Sequence, residues 1–441
     1  MIIDFTLTNF LSFKNTTSIS FETKRKKSYD NIKLIDVKNT DMKLFAFSTI
    51  YGPNASGKSN LISAIYQLKN MVTRSQELDY DHSIPAYRPH KLDRSTKDAP
   101  IIFEIEFLVK GIRYYYYVKF DKKSILRESL YFYPKGKGRS ANIYNRVEGE
   151  NIKYGRYFSG EKKIIKSFLQ PNQVLLSLGA KANNETLKDV YLFFRDSIRI
   201  HTSMDSGNNL TFYTTKFITN NRLSNYKTIV QSFLSAADLN VVDIDIKKVD
   251  KDYPFFKFFP PEISEKEKQM IIDDLSTEVY LAHLNDAGDK VPFNLLEEES
   301  SGTVKMYDIA HEIISSLRMG TVLVFDEFNS GLHPSLNKFL VKLFNDEDIN
   351  INNAQLLIST HDTCVLDVDN LKREQVWLVN KDDNGNSDLY SIDEFDKNKF
   401  REGTNFAKHY LDGRFGAVPA INYTNFLKEL FLGQQEEKTR D

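Results

Sequence analysis

The sequence predicts an α/β fold built around a parallel sheet, and three stretches carry that prediction. "FSTIYGPNASGKSNLISAIYQL" (47–68) reads as an apolar strand, a glycine-rich turn and a helix from about 57 to 72. "TVLVFDEF" (321–328) and "AQLLIST" (354–360) are short apolar runs, which are typical of strands buried in parallel sheets. A helical pattern near 335–345 separates these two runs, as parallel α/β units require.

The remaining patterns divide the chain into four regions. Residues 1–52 alternate apolar and polar positions, which indicates strands leading into the glycine-rich turn. A strand-rich block at 101–133, a helical pattern at about 162–240 and a helix at about 302–318 follow. We therefore expect a first lobe with the turn and an antiparallel β subdomain (1–164), a mainly helical insertion (165–275), a second lobe (276–395) and a helical tail (396–441).

The composition excludes several classes of protein. The formal net charge of −1 over 441 residues argues against a polycation built for nucleic acid. The single cysteine, Cys364, excludes an internal disulfide and a cysteine-rich metal site. The first residues lack the features of a signal peptide, and no apolar run approaches the roughly 20 residues of a membrane-spanning helix. We expect a cytoplasmic protein without a membrane partner.

The glycine-rich turn fits the pattern G-x-x-x-x-G-K-[ST] for binding phosphate. Its glycines can adopt backbone angles that turn N–H groups inward, and the next helix presents its positive N-terminal end. Lys58 would reach the β- and γ-phosphates, and the Ser59 hydroxyl would bind Mg²⁺. A chance match is the alternative, but the strand before and the helix after the turn argue against it. The predicted phosphate-binding residues are Gly52, Pro53, Asn54, Ala55, Ser56, Gly57, Lys58 and Ser59.

Two carboxylates follow the apolar strand of "TVLVFDEF". Ligands of open α/β sheets bind at the C-terminal ends of the strands, where Asp326 and Glu327 lie. Asp326 can hold Mg²⁺ through water, and Glu327 can polarise an attacking water molecule. A solvated turn is the alternative interpretation. The predicted phosphate-binding turn argues against it, because it gives the two carboxylates a ligand to act on.

Two further motifs distinguish subclasses of phosphate-binding protein. Ser300, Ser301 and Gly302 precede a predicted helix, so they form either an ordinary N-cap or a second place for phosphate. His361 in "STHD" follows the next strand, where it could contact a γ-phosphate. A single histidine is more often structural, but its position at a strand end favours a functional role.

Taken together, these residues resemble the ATP-binding-cassette (ABC) ATPases, in particular the heads of the SMC and RecF group. "NFLSF" (9–13) is similar to their opening strand motif, "ESSGT" (299–303) to a divergent signature motif, and "NSGLHP" (329–334) to their D-loop. The resemblance implies an ABC-type P-loop head with ATP and Mg²⁺ as cofactors, and Glu327 and His361 as catalytic residues. Glu299 and Ser301 depart from the usual Leu-Ser-Gly-Gly signature, so we expect slow hydrolysis.

The resemblance also implies a homo-oligomer. In ABC-type heads the nucleotide is held between the P-loop of one copy and the signature of another, here Ser300, Ser301 and Gly302. Because the chain has one of each, a complete site requires at least two chains. Gln173 in "QPNQVLLS" is the candidate for completing the Mg²⁺ ligands beside Ser59 and Asp326.

A narrower resemblance concerns bacterial phage defence. "EESSGT", "DEFNSGLHP", "STHD" and "YLDGRFGAVP" (410–419) resemble the ATPases of PARIS-type and abortive-infection systems, which work beside a TOPRIM or RloB-like effector. This implies an ATP-driven switch that controls such an effector and responds to a phage-derived trigger. The alternatives are a RecF/SMC-like DNA-repair ATPase, the ATPase subunit of a transporter, and a nucleotide-gated scaffold with little turnover.

Three other patterns have a competing structural interpretation. "VNKDD" (379–383) contains the Asn-Lys-x-Asp that reads guanine in GTPases, but it follows His361, so a hairpin turn and ATP are favoured. "DVD" (367–369) resembles a TOPRIM metal pair, but too few residues follow it to build that domain. Basic runs at 24–27, 135–139 and 153–166 near the tyrosines 114–117 could hold nucleic acid, although a solvated face is commoner.

Overall fold

The computed structural model describes most of the chain. The described residues are 1–23, 32–38, 40–134, 138–202, 210–219, 225–248, 276–328, 331–367, 371–396 and 405–419, with the single residues 265, 268, 272 and 423. The basic run 24–27, part of the run 135–139, the first two residues of the D-loop motif and most of "DVD" lie outside this set. Among the helices in the described ranges, none combines the length and the apolar character needed to cross a membrane.

The described strands and helices have the following bounds. The strands are β1 (Ile2–Thr8), β2 (Thr17–Ser20), β3 (Leu34–Asp36), β4 (Lys43–Phe45), β5 (Phe47–Tyr51), β6 (Ile101–Val109), β7 (Ile112–Phe120), β8 (Ile125–Tyr133), β9 (Ala141–Val147), β10 (Lys153–Tyr154), β11 (Ile198–His201), β12 (Asp243–Lys248), β13 (Thr277–Leu284), β14 (Lys290–Asn294), β15 (Val322–Phe325), β16 (Gln355–Ser359), β17 (Val376–Lys381) and β18 (Ser387–Ser391). The α-helices are α1 (Lys58–Arg74), α2 (Lys162–Phe168), α3 (Leu175–Lys181), α4 (Glu185–Leu192), α5 (Leu210–Thr219), α6 (Tyr226–Ala236), α7 (Ser301–Met319), α8 (Pro334–Asn345) and α9 (Phe406–Leu411).

A six-stranded sheet forms the centre of the molecule, in the order β11-β15-β16-β5-β17-β18. Its first five strands are parallel neighbours, and β18 is antiparallel to β17. Every residue of β5, β15 and β16 is buried, and apolar residues make up most of each strand, as is typical of strands covered on both faces. The predicted parallel α/β fold is confirmed.

Both faces of this sheet are covered. Val322 and Val324 of β15 join one hydrophobic core with α1 and the antiparallel sheet. Leu323 and Phe325, which alternate with them, join a second core with α7 and α8. Because successive side chains of a strand point to opposite faces, the sheet lies between these two layers.

The antiparallel β subdomain is a seven-stranded sheet in the order β10-β9-β8-β7-β6-β1-β2. Burial alternates along β6 and β7, as expected for a sheet with one face against the core. Tyr114 and Tyr116 are buried, whereas Tyr115 and Tyr117 on the other face are partly exposed. The tyrosine run is thus explained by strand alternation, and the predicted antiparallel subdomain is confirmed.

The range 165–275 holds more than helices. It contains α3 to α6 and also the strand β11. This strand pairs with β15 of the central sheet, in the register Ile198↔Val322 to His201↔Phe325. β12 of the same range pairs with β13 in a separate three-stranded sheet. The pattern of "VVDIDIKKV" (241–249) does indicate the strand β12. A strand of four residues such as β11 is too short to stand out from the helical periodicity around it. The boundaries at 164, 275 and 395 stay predictions.

Candidate nucleotide-binding site

The glycine-rich turn joins β5 to α1 in a conformation that requires glycine. Gly57 has φ 121°, which residues with a side chain rarely adopt. A Cβ atom there would lie 2.8 Å from Ser12 Oγ and still closer to Ser387 Oγ. α1 begins at Lys58 without a side-chain cap, so its first N–H groups remain available to an anion. We call residues 52–59 the phosphate loop.

Buried hydroxyl groups support the phosphate loop from behind. Ser387 Oγ donates to the Ser56 carbonyl and lies 2.7 Å from Ser12 Oγ. Asn60 Nδ2 donates to the same Ser12 oxygen, also at 2.7 Å. Ser12 belongs to "NFLSF", so this motif fixes the shape of the phosphate loop. Ser387 was not predicted, since nothing local in "NGNSDLY" marks it as a neighbour of residue 56.

Lys58 is buried at the base of the phosphate loop. Its Nζ donates to the carbonyl oxygens of Gly52 at 2.8 Å and Pro53 at 3.1 Å. Burial lowers the pKa of Lys58 to about 8, although Asp326 and Glu327 act in the opposite direction. The two carboxylates are therefore close enough to Lys58 to act on its charge, as the sequence predicts.

The two carboxylates occupy different environments. Asp326 is buried, and its Oδ1 accepts a hydrogen bond from Ser359 Oγ at 2.5 Å. Ser359 Oγ in turn accepts a hydrogen bond from the Glu327 N–H at 2.9 Å. Glu327 is exposed and has φ 54°, in the left-handed region that few residues other than glycine adopt. Backbone strain of this kind is concentrated at functional sites. Asp326 is thus fixed, whereas Glu327 is open to solvent.

His361 follows β16 and lies close enough to Lys58, Glu327 and Asp326 to interact with their charges. Burial and the charge of Lys58 lower its pKa, and Glu327 and Asp326 oppose that shift. The lowered pKa favours the neutral imidazole near pH 7, which can both donate and accept a hydrogen bond. The structure therefore brings together Lys58, Asp326, Glu327 and His361.

The predicted signature residues form no hydrogen bond or ion pair with this group among the described residues. Ser300 is the N-cap of α7, and its Oγ accepts from the Thr303 N–H at 3.1 Å. Ser300 and Ser301 are nevertheless exposed. Within the described ranges, no hydrogen bond or ion pair connects residues 299–303 with the phosphate loop. Glu299 Oε1 instead lies 2.7 Å from His283 Nε2. The capping interpretation is confirmed, and it leaves both serines accessible.

The structure contradicts Gln173 as a Mg²⁺ ligand. Its Nε2 donates to the Leu78 carbonyl at 3.3 Å, beyond the C-terminal end of α1. Ser59 lies at the other end of that helix, which spans about 25 Å at 1.5 Å per residue. The prediction relied on residue type alone, and the position of Gln173 depends on long-range packing.

Strand β11 supplies the neighbours of Asp326 that the sequence did not reveal. The Asp326 N–H donates to the His201 carbonyl at 2.8 Å, so β11 ends beside the carboxylates. His201 also stacks on Phe325, with ring centroids 4.9 Å apart. Because β11 lies more than a hundred residues before β15, no local pattern indicates this pairing.

One known protein family matches most of this sequence. Residues 47–367 match the AAA_21 family, whose description is "AAA domain, putative AbiEii toxin, Type IV TA system". The matched range is well over half of the chain and contains the phosphate loop, Asp326, Glu327 and His361. The chain belongs to this AAA_21 family. Among curated proteins, none matches the sequence.

Several solved structures are similar to this AAA_21 protein at low sequence identity. The SMC head domain from Thermotoga maritima is 14% identical, with 88% of this chain and 98% of that chain covered and a TM-score of 0.39. An Smc head domain from Pyrococcus furiosus, bound to the C-terminal domain of ScpA, is 12% identical, with coverages of 88% and 96% and a TM-score of 0.35. The recombination mediator RecF with ATP is 13% identical, with coverages of 88% and 97% and a TM-score of 0.30.

The oxygen atoms near the phosphate loop of this AAA_21 protein would suit Mg²⁺ bound together with a substrate. Among the described residues, no group of three or more histidine, cysteine, aspartate or glutamate side chains is arranged to hold a metal ion unaided. Asp326 and the exposed hydroxyl of Ser59 offer oxygen atoms near the phosphate loop. Mg²⁺ is commonly held by one or two protein oxygens together with phosphates and water, so this limited set fits it.

Proposed function

We propose that this chain binds ATP with Mg²⁺ and hydrolyses it slowly. The observation that carries the proposal is the grouping of Lys58, Asp326, Glu327 and His361 around the phosphate loop. The N–H groups at the start of α1 and the Lys58 ammonium bind the β- and γ-phosphates. Mg²⁺, held by Ser59 and Asp326 together with phosphate oxygens, would offset the negative charge of the γ-phosphate.

The remaining side chains would act on the terminal phosphate. Glu327 is exposed and can accept a proton from an attacking water molecule. His361, in its neutral form, can donate a hydrogen bond to a γ-phosphate oxygen or hold the water in line. The glutamate and serine that replace the usual residues of the signature support a low rate.

Two substitutions separate binding from hydrolysis. Lys58→Ala should reduce ATP affinity tenfold or more, because a charge-assisted hydrogen bond contributes about 1.5–3 kcal/mol. Glu327→Gln should bind ATP normally and lower kcat by about 10²-fold or more, because it retains the shape and loses the base. Equilibrium binding and phosphate release measure the two effects. A wild-type rate in Glu327→Gln would show that Glu327 is not the base.

The wider role that we propose is that of a switch subunit in a bacterial anti-phage system of the abortive-infection type. The family description names an abortive-infection toxin and a toxin–antitoxin system, which supports this setting. A TOPRIM or RloB-like effector would then respond to the ATP state of this chain when a phage-derived trigger is present.

Phage challenge tests this role. Bacteria that carry the chain with its neighbouring effector gene should resist phage or stop growing on infection, and Lys58→Ala or Glu327→Gln should abolish that response. The purified chain alone should leave DNA and RNA intact in the presence of Mg²⁺. Protection that persists in both variants would mean that ATP is structural and not the switch. Strong stimulation of turnover by DNA would favour the RecF/SMC-like repair ATPase instead, with exposed Lys162 and Lys163 as candidate contacts.

A further inference from the structure

The turn that carries His361 is bonded to β5 through the residues on either side of it. The Thr360 N–H donates to the Ile50 carbonyl at 3.1 Å. The Tyr51 hydroxyl donates to the Asp362 carbonyl at 2.8 Å. Ile50 and Tyr51 are consecutive and directly precede the phosphate loop. Both neighbours of His361 are therefore held by the strand that leads into the phosphate loop.

His361 has no comparable contact of its own. Its side chain is exposed, and within the described ranges its ring forms no hydrogen bond. The position of the imidazole therefore depends on the backbone of the turn, and so on the two bonds to β5. Because a displacement of about 1 Å can cost about 10²-fold in rate, contacts that fix this turn affect any reaction in which His361 takes part.

The side chain of Asp362 anchors the turn to a second element. Its Oδ2 accepts a hydrogen bond from Asn337 Nδ2 of α8 at 2.8 Å, and its Oδ1 accepts from the Cys364 N–H at 2.9 Å. Burial alone would raise the pKa of Asp362, but the hydrogen bonds from Cys364 and Asn337 outweigh it and lower the pKa. The carboxylate is thus charged and already bonded, and Tyr51 acts on the carbonyl oxygen of the same residue.

Tyr51 is a permanent hydrogen-bond donor at this position. Its side chain is completely buried, and burial, together with nearby Cys364 and Asp362, raises the pKa of its hydroxyl well above the ordinary value. The hydroxyl therefore keeps its proton at neutral pH. A phenylalanine would fill the same space in the core, so the hydroxyl and its bond to Asp362 are what distinguish tyrosine here.

A second tyrosine packs against the ring of Tyr51. Tyr410 of α9 lies edge-on to it, with ring centroids 5.4 Å apart and an interplanar angle of 60°. The Tyr410 hydroxyl donates to the Ala417 carbonyl at 3.0 Å, which closes the segment 405–419 on itself. Both residues belong to "YLDGRFGAVP", a motif to which the ATP site described above gives no role. A continuous series of contacts thus leads from this motif through Tyr51 to the turn of His361.

We propose that Tyr51 is a positioning residue for His361, and that the ring of Tyr410 makes this positioning depend on the docking of segment 405–419. The proposal rests on the ATP hydrolysis proposed above. With the segment docked, Tyr51 holds the Asp362 carbonyl and His361 is placed for the γ-phosphate. When the segment moves away, Tyr51 loses its neighbour, the Asp362 carbonyl is released and His361 is placed less accurately.

Tyr51→Phe tests the first part, because it keeps the ring and removes only the hydroxyl. Its ATP affinity should equal that of the wild type, whereas kcat should fall about tenfold, since one hydrogen bond that places His361 is lost. In a His361→Ala background the same substitution should have no further effect, because no imidazole is left to position. Binding of a fluorescent ATP analogue and single-turnover phosphate release measure these effects.

Tyr410→Leu tests the second part. It removes the ring that packs against Tyr51, so kcat should again fall about tenfold, and combining it with Tyr51→Phe should lower kcat no further. Tyr410→Phe keeps the ring and should keep the wild-type kcat. Tyr390→Phe is the matched control, because the Tyr390 hydroxyl donates to the Phe415 carbonyl of the same segment at 2.9 Å, a bond that does not involve the turn of His361. It should also keep the wild-type kcat.

Each part can be overturned separately. A wild-type kcat in Tyr51→Phe, or an equal loss in the His361→Ala background, would show that Tyr51 does not act through His361. A wild-type kcat in Tyr410→Leu, or an equal loss in Tyr410→Phe, would show that the ring contact does not matter. Equal losses in Tyr51→Phe and Tyr390→Phe would indicate a general effect on the fold. A wild-type protein that binds ATP without hydrolysing it would instead overturn the proposed hydrolysis itself.

Discussion

Lys58 shows at the scale of one residue how burial adjusts the site. Burial lowers the pKa of this lysine from its ordinary value to about 8. Lys58 therefore loses its proton at a lower pH than a surface lysine does. The phosphates of a nucleotide would favour the charged form and raise the pKa again on binding. Nucleotide binding and protonation of Lys58 are therefore linked.

This linkage predicts a pH dependence of nucleotide binding. Below pH 8 the free lysine already carries its proton, so affinity should change little with pH. As the pH rises above 8, binding must take up a proton, and affinity should fall towards tenfold per pH unit. Titrations with ATP and Mg²⁺ at pH 7 and about pH 9 measure the difference. Lys58→Arg should remove it, because arginine remains charged. An equal fall in both proteins would assign the effect to another group.

At the scale of elements, α7 is joined to the carboxylate side of the sheet through β11. Glu312 of α7 lies 3.1 Å from Arg199 and 3.3 Å from His201, both on β11. Burial alone would raise the pKa of Glu312, but His201 and Arg199 outweigh it and lower the pKa to about 2. The Asp326 N–H bonds to the end of the same strand. We therefore expect movements of α7, which begins at the predicted signature residues, to reach Asp326 through β11.

Elements whose signals are local could be predicted from the sequence. The phosphate loop has its glycines and its flanking strand and helix within about twenty residues, and Ser300 marks the start of α7. The elements that escaped prediction depend on distant partners. β11 is recognisable only by its pairing with β15, and Gln173 only by its contact with Leu78. Residue type and spacing carry no information about which distant segments meet.

At the scale of the whole molecule, the two halves of the proposed ATP site are separate. The phosphate loop lies between β5 and α1, and the exposed Ser300 and Ser301 begin α7. Among the described residues, no hydrogen bond or ion pair joins them. If the site uses both, as the resemblance to ABC-type heads implies, it would be completed by a second copy of the chain, and two identical copies would form two such sites.

Mixed dimers test this arrangement. Ser300→Arg should block the signature, and Lys58→Ala should disable the phosphate loop, so each protein alone should show little turnover. In an equal mixture half of the dimers are mixed and one of their two sites is intact, so about a quarter of the wild-type rate should return. Phosphate release from the mixture and from each variant measures it. Ser167→Arg, at an exposed serine of α2, should keep normal turnover alone. No recovery in the mixture would contradict a site shared between chains.

The serines behind the phosphate loop affect how the protein folds during its synthesis. Ser387 Oγ forms hydrogen bonds with Ser12 Oγ and with the Ser56 carbonyl oxygen. These contacts join segments that are far apart in the sequence and are therefore synthesised at different times. The Ile2 N–H likewise bonds to Gln355 Oε1 at 2.7 Å. A nascent chain carries the complete glycine-rich motif long before β18 has been synthesised. High contact order of this kind slows folding, and it leaves the phosphate loop without this support until β18 has emerged from the ribosome.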